Sequence, residues 1–253
     1  YADGRVFSMG TVGVLRAYDA KTGDRLWETP TSPDLEELKR EHLEGRKMCW
    51  QAQEGSSLVV VDGVVIVPRR WLKGIDAETG KPLWHIDETV QSRWGTPTLW
   101  RHEGRTYIIA NSGQGDLRLI DPKDGRVLWH IHGLGPNLGT LSPNGDIVIV
   151  NAGSHMTDGK RDPGIYAAFR LSTEKPTRLW TLPNTERYQH TCWPDSGAFK
   201  RMAVRDGRAW IMIQRLENTN GQAKPPSLLV VLDMETGEIL SEQEMDGHNR
   251  YPY

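Results

Sequence analysis

The sequence predicts an all-β fold: a β-propeller of four-stranded antiparallel blades, with about five blade units visible. Two observations predict it. The first is a string that recurs along the chain: DAKTGDRLW ending at Trp27, DAETGKPLW at Trp84 and DPKDGRVLW at Trp129. LSTEKPTRLW at Trp180 is a degenerate copy, and DMETGEILS at Ser241 has lost its tryptophan. The second is a set of short turn signals in step with the first, namely Asp3-Gly4, Asp62-Gly63, Glu103-Gly104, Asn144-Gly145 and Asp206-Gly207. Each precedes a β-rich run. Two turns per repeat, at about 50 residues per repeat, give four strands per unit, as in a propeller blade.

Composition narrows the field. The chain has 253 residues, with 31 basic against 33 acidic side chains. Near-neutrality argues against a dedicated nucleic-acid binder, which needs a one-sided basic surface. No apolar run approaches the ~20 residues of a membrane-spanning helix. The imbalance of 10 Trp against 3 Phe indicates that tryptophan fills a recurring structural slot. Cys49 and Cys192 are the two cysteines, so the chain is no disulfide scaffold and has no CxxC zinc pair. Both precede a Trp ahead of a blade's first strand. Such equivalent positions on separate blades lie too far apart to pair, which predicts free thiols.

In chain order, unit one opens with the 5–8 run and closes on Trp27, and it lacks an innermost strand. Residues 33–44 break the β pattern. Ser32 suits an N-cap, Pro33 a first helical position and Gly45 a helix end, and Leu35, Leu38 and Leu43 form a narrow apolar stripe. This is a helical insertion between units one and two, its charged face in solvent. Unit two carries 64–67 and ends at Trp84, unit three 106–110 and Trp129, unit four 147–150 and Trp180, and unit five 208–213 and Ser241. Residues 249–253 would begin the innermost strand of a following blade. They either supply the strand missing from unit one or make 1–253 a single domain within a larger propeller.

The repeat has a physical reading. The Asp carboxylate accepts from backbone N–H groups two and three residues on, Thr adds a hydroxyl, and Gly supplies positive φ. In the strand that follows, Leu26 and Trp27 point to opposite faces, so both faces are expected to be covered by stacked neighbours.

These A-x-D-x-x-T-G-x-x-x-W strings resemble the tryptophan-docking repeats of the PQQ-like, or quinoprotein-type, β-propeller superfamily. The likeness spans almost the whole chain and speaks to the fold more than to activity, because the repeated residues are the structural ones. It implies an extracytoplasmic, periplasmic setting. It also implies one of two functions: a non-catalytic binding scaffold, or a PQQ-dependent oxidoreductase of alcohol or sugar dehydrogenase type. A hydrolase or lyase at the channel mouth is a third reading.

Function in a propeller is expected on the long, variable loops rather than the short, regular turns. That face takes in 69–73, 91–96, 111–115, 151–164, 188–196 and 214–227. A planar tricarboxylate quinone would need stacking from Trp71 or Trp94 and basic groups such as Arg69, Arg70 or Arg93. Its calcium would need oxygens such as Asn111, Asn151 and Asp158. The adjacent cysteine pair of the dehydrogenases is absent from this sequence, so PQQ with calcium is not favoured. His155 and His190 lie in loops and join the ligand-binding candidates. His130 and His132 share one strand face, as metal ligands would, but His85 follows Trp84 in the register of His130, so a structural role is expected and no metal set is assigned. The expected partner is a protein segment or small molecule at the loop face.

Overall fold

The computed structural model describes residues 1–10, 13–31, 40, 44, 57–69, 71–86, 96–111, 115–134, 141–151, 156–157, 160–161, 164–183, 185, 202–216 and 223–245. They form five antiparallel sheets in chain order, with a small ribbon inserted in the fourth. Blade 1 is β1 (Arg5–Met9), β2 (Val14–Asp19) and β3 (Arg25–Pro30). Blade 2 is β4 (Val59–Val61), β5 (Val64–Arg69), β6 (Trp71–Asp76) and β7 (Pro82–His85). Blade 3 is β8 (Thr98–His102), β9 (Arg105–Asn111), β10 (Leu117–Ile120) and β11 (Val127–Ile131). Blade 4 begins with β12 (Ile147–Asn151), then carries the ribbon β13 (Met156–Thr157) and β14 (Lys160–Arg161), and closes with β15 (Gly164–Arg170) and β16 (Thr177–Pro183). Blade 5 is β17 (Met202–Arg205), β18 (Arg208–Leu216), β19 (Ala223–Asp233) and β20 (Ile239–Met245). Blades 2, 3 and 5 have the expected four strands, and blade 1 has three. Blade 4 also shows three. In place of its first strand, the described residues hold a single Asn144–Ile147 bridge.

The core lies between the blades. Alternate residues of one strand enter two different clusters, because side chains alternate faces. In β5, Val65 and Val67 pack with Leu15 of blade 1, while Val64 and Ile66 pack with Ile108 and Ala110 of blade 3. In β9, Ile109 turns the other way and meets Val148 and Val150 of blade 4. In blade 4, Ile149 and Ala168 turn to Ile211 and Val230 of blade 5. Each middle sheet is therefore buried on both faces, which explains runs such as VVIV in place of an apolar–polar alternation.

The tryptophans span these gaps. The indole N–H of Trp27 donates to the Ala77 carbonyl at 3.3 Å, Trp84 to Pro122 at 2.8 Å, Trp129 to Ser172 at 2.8 Å and Trp180 to Met234 at 2.9 Å. In every case the acceptor is the residue after the first position of the next blade's turn. The expectation that both faces of this outer strand are covered needs correcting. Leu26 is 47% and Leu83 48% exposed, while the neighbouring indoles are half-buried. The reason is geometric: Trp27 lies on the turn at Ala77–Gly80, short of β7, so the Leu83 face has no such cover.

The turns follow their chemistry. Asp76 Oδ1 accepts from Glu78 N–H at 3.0 Å, Thr79 N–H at 2.7 Å and the Thr79 hydroxyl at 2.8 Å, and Asp233 repeats the set with Glu235 and Thr236. At the other turns, Asp3-Gly4, Asp62-Gly63, Glu103-Gly104 and Asp206-Gly207 all have positive φ at both residues. The Asn144-Gly145 copy differs. The bridge closes Asn144 on Ile147, so Gly145 and Asp146 are the central pair, and only Gly145 has positive φ. Glycine in the first central position is the arrangement that permits this.

These bonds lower the carboxyl pKa values. At Asp76 the Thr79 hydroxyl contributes most, and at Asp233 and Asp19 the leading cause is the backbone N–H of Thr236 and Thr22. A folded pKa below the unfolded one contributes stability above the unfolded value, and that stability is lost as pH falls through the folded pKa. Urea melts from pH 5 to pH 2 should therefore show stability falling below about pH 4, with a shallower fall in Asp76→Asn. A flat profile would contradict this account of the turn.

Of the helix expected over 33–44, only Arg40 and Glu44 are among the described residues. The Glu44 N–H donates to the Arg40 carbonyl at 2.9 Å, the i to i−4 bond of a helical turn. Cys49 and Cys192 lie outside the described residues.

Candidate functional site

Antiparallel order sorts the connections onto two ends. The Asp-Gly turns and the Asp-led turns share one end, and the connections between second and third strands lie on the other. The variable end is less loop-like than its sequence suggests. Residues 69–73 were expected as loop, but Arg69 ends β5 and pairs directly with Trp71, which starts β6. Residues 214–227 were expected as loop too, yet β18 and β19 continue as a paired ribbon to Leu216↔Ala223. Asn111 is the last residue of β9, paired with Leu117 and 2% exposed. Polar residues at these positions read as loop from composition, but ladder hydrogen bonds carry the strands through them.

Of the ten candidate residues, Arg70, Arg93, Trp94, His155, Asp158 and His190 lie outside the described residues. Arg69, Trp71 and Asn151 are placed by backbone, in β5, β6 and β12. Asn111 is the one whose side-chain burial is described. Whether these residues gather into one site is therefore not decided by the described part of the chain.

The described residues do bring together a different cluster. His130 and His132 extend from one face of β11 and its end, and Asp116 lies opposite His132, one step beyond the Leu117↔Ile131 pair. Asp116 Oδ1 is 3.2 Å from His130 Nε2 and 3.1 Å from His132 Nδ1. Arg118, opposite His130 and 4% exposed at its side chain, donates from Nε to His130 Nε2 at 3.2 Å. Burial lowers the His130 pKa, and the Arg118 charge lowers it further. The sequence reading missed Asp116. Counting outward from the turn would set Asp116 against Ile131; the bulge between Leu119 and Ile120 shifts the register by one and sets it against His132.

Residues 68–251 match the profile of the family described as outer membrane protein assembly factor BamB. Among curated proteins, the quinone alcohol dehydrogenase subunit of Gluconacetobacter polyoxogenes is 28% identical over 178 residues, covering 59% of this chain and 23% of that protein. The same subunit from Komagataeibacter europaeus is 27% identical over 217 residues, covering 70% and 29%. The chain thus spans under a third of the length of these relatives. Among solved structures, BamB from Moraxella catarrhalis superposes with a TM-score of 0.57 at 18% identity, covering 98% of this chain and 60% of that one. Quinohemoprotein alcohol dehydrogenase from Comamonas testosteroni gives 0.57 at 16%, covering 98% and 42%. At these identities the structural likeness establishes the fold, a β-propeller.

Proposed function

We propose, from the premise that this chain belongs to the PQQ-like propeller repeat family described as outer membrane protein assembly factor BamB, that it is a binding scaffold without catalysis of its own. Its setting is extracytoplasmic, a reading that rests on that description. Its five blades form part of a larger ring, in keeping with relatives longer than itself. The tryptophans act as docking wedges between blades, and the loop face takes an extended protein segment.

One observation carries the proposal. The β18–β19 ribbon reaches beyond its flanking strands. Among the described residues, β17 covers β18 only from Arg208 to Ile211, and β20 covers β19 only from Ser227 to Leu232. Pro225 and Pro226 have no N–H to donate, which blunts β19 against strand addition. The edge of β18 from Met212 to Leu216 carries no proline. We read that edge as the place where an incoming strand pairs with backbone groups, which gives affinity with little demand on sequence.

The alternative, a PQQ-dependent alcohol dehydrogenase, is favoured by the names of the curated relatives at 27–28% identity. One experiment separates the two. A photo-crosslinking residue at Arg215 should capture a discrete protein in cells, while one at Lys123, on the opposite turns, should not. The purified protein given PQQ and Ca²⁺ should reduce no dye when alcohol is added. Alcohol-dependent dye reduction would overturn the scaffold reading in favour of the oxidoreductase.

A further inference from the structure

We propose that Asp116, His130 and His132 form a three-ligand site for a borderline divalent metal of the zinc class at the rim of blade 3. The donor set, two imidazoles and a carboxylate, suits Zn²⁺ and its neighbours rather than Ca²⁺ or Mg²⁺. The three ligand atoms lie within 4.8 Å of one another. The two separations from Asp116 Oδ1, 3.2 Å to His130 and 3.1 Å to His132, the second a hydrogen bond that an ion would replace, are close to the ~3.3 Å that ligands at ~2.0–2.1 Å from a tetrahedral ion span. His132 is 72% exposed at its side chain, against 17% for His130 and 14% for Asp116. The site is therefore anchored on two nearly buried groups and open on one side, with room for ion entry and a water as fourth ligand.

The repeat itself isolates this set. A cation on the third strand of each blade faces the residue after the tryptophan in blades 1 to 3: Arg16 faces Glu28, Lys73 faces His85 and Arg118 faces His130. His130 thus occupies a structural slot. Asp116 and His132 do not. Their counterparts are Val14 and Pro30 in blade 1, and Trp71 and, by sequence, Asp87 in blade 2. Among the described residues, two further ligands converge on the slot in blade 3 alone.

A second observation is a conflict at His130 Nε2. Arg118 Nε donates to it at 3.2 Å, so the nitrogen presents its lone pair. The same nitrogen faces Asp116 Oδ1 at 3.2 Å, which leaves two acceptors opposed. Moving the ring proton to Nε2 would satisfy Asp116 but set donor against donor at Arg118. A cation bound between Nε2 and Oδ1 turns the opposed acceptors into a ligand pair. Arg118, already 3.9 Å from Asp116 Oδ2, can then hold that carboxylate from outside the ligand set, the usual role of such a partner. Its positive charge also opposes the ion, so the expected Kd is on the order of micromolar rather than far tighter.

The test is titration of the purified chain with Co²⁺, followed by its visible absorption, and with Zn²⁺ by calorimetry. One ion per chain is expected, with the intense visible bands of tetrahedral cobalt. His132→Ala and Asp116→Asn should each weaken binding by 10-fold or more, while His85→Ala leaves it unchanged. Zn²⁺ should raise the melting temperature of the wild type but not of His132→Ala, whose metal-free melting matches wild type because the ring is exposed. Equal affinity in wild type and His132→Ala, or no binding below millimolar Zn²⁺, would overturn the proposal.

Discussion

Replacing Trp129 by alanine is expected to cost about 3–5 kcal/mol of stability, the range for truncating a large core aromatic. Trp129 is 8% exposed and packs in the cluster shared by blades 3 and 4, with Phe169 and Leu171 on the far side. Its loss opens a cavity between two sheets that no short backbone shift can close, because each sheet is held by its own ladder. It also leaves the Ser172 carbonyl without the indole donor now 2.8 Å away. For a chain of this size, roughly 2–4 °C of melting temperature is lost per kcal/mol, so thermal melts should fall by roughly 6–20 °C. A variant that melts with wild type would show that the indole lies on the blades without wedging them.

A comparison of two glycines should give the next largest effect. Gly23 and Gly80 occupy the same turn position in blades 1 and 2, with φ of +78° and +73°. Alanine in this conformation costs about 1 kcal/mol from its Cβ alone. A Cβ on Gly23 would meet nothing within 4 Å. On Gly80 it would lie 2.6 Å from Trp27 Cδ2 and Cε3 and 2.9 Å from Thr29 Oγ1. Gly80→Ala must then displace the docked indole, an overpacking cost of about 1–3 kcal/mol more. Denaturant melts should place Gly80→Ala well below Gly23→Ala. Gly125 and Gly237 stand equally close to Trp84 and Trp180, so the repeat glycine serves both the turn and the next blade's wedge.

That double role explains what could be read from the sequence. The Asp, Thr, Gly and Trp of each copy act within a few residues or across one fixed interface, so a linear pattern carries them. The reading of blade count and turn chemistry follows from this local character. Leu26 and Leu83 were misread because coverage depends on where the neighbouring indole lands, a distance set by three dimensions and not by alternation. The Asn144-Gly145 turn slipped by one residue because either Asn144 or Gly145 can open a tight turn, and only pairing with Ile147 decides. At the loop end, Arg69 and Arg215 looked irregular because polar side chains hide a continuing ladder. The Asp116 cluster was half visible. His130 and His132 share a face by period two, but the third group comes from the partner strand and needs the register to be found.

The central claim, that each indole presses on the next blade's glycine turn, is tested most directly by a double-mutant cycle between Trp27→Ala and Gly80→Ala. With the indole gone, Gly80→Ala should cost only about the 1 kcal/mol seen at Gly23, giving a coupling of about 1–3 kcal/mol. Strictly additive effects would contradict the claim.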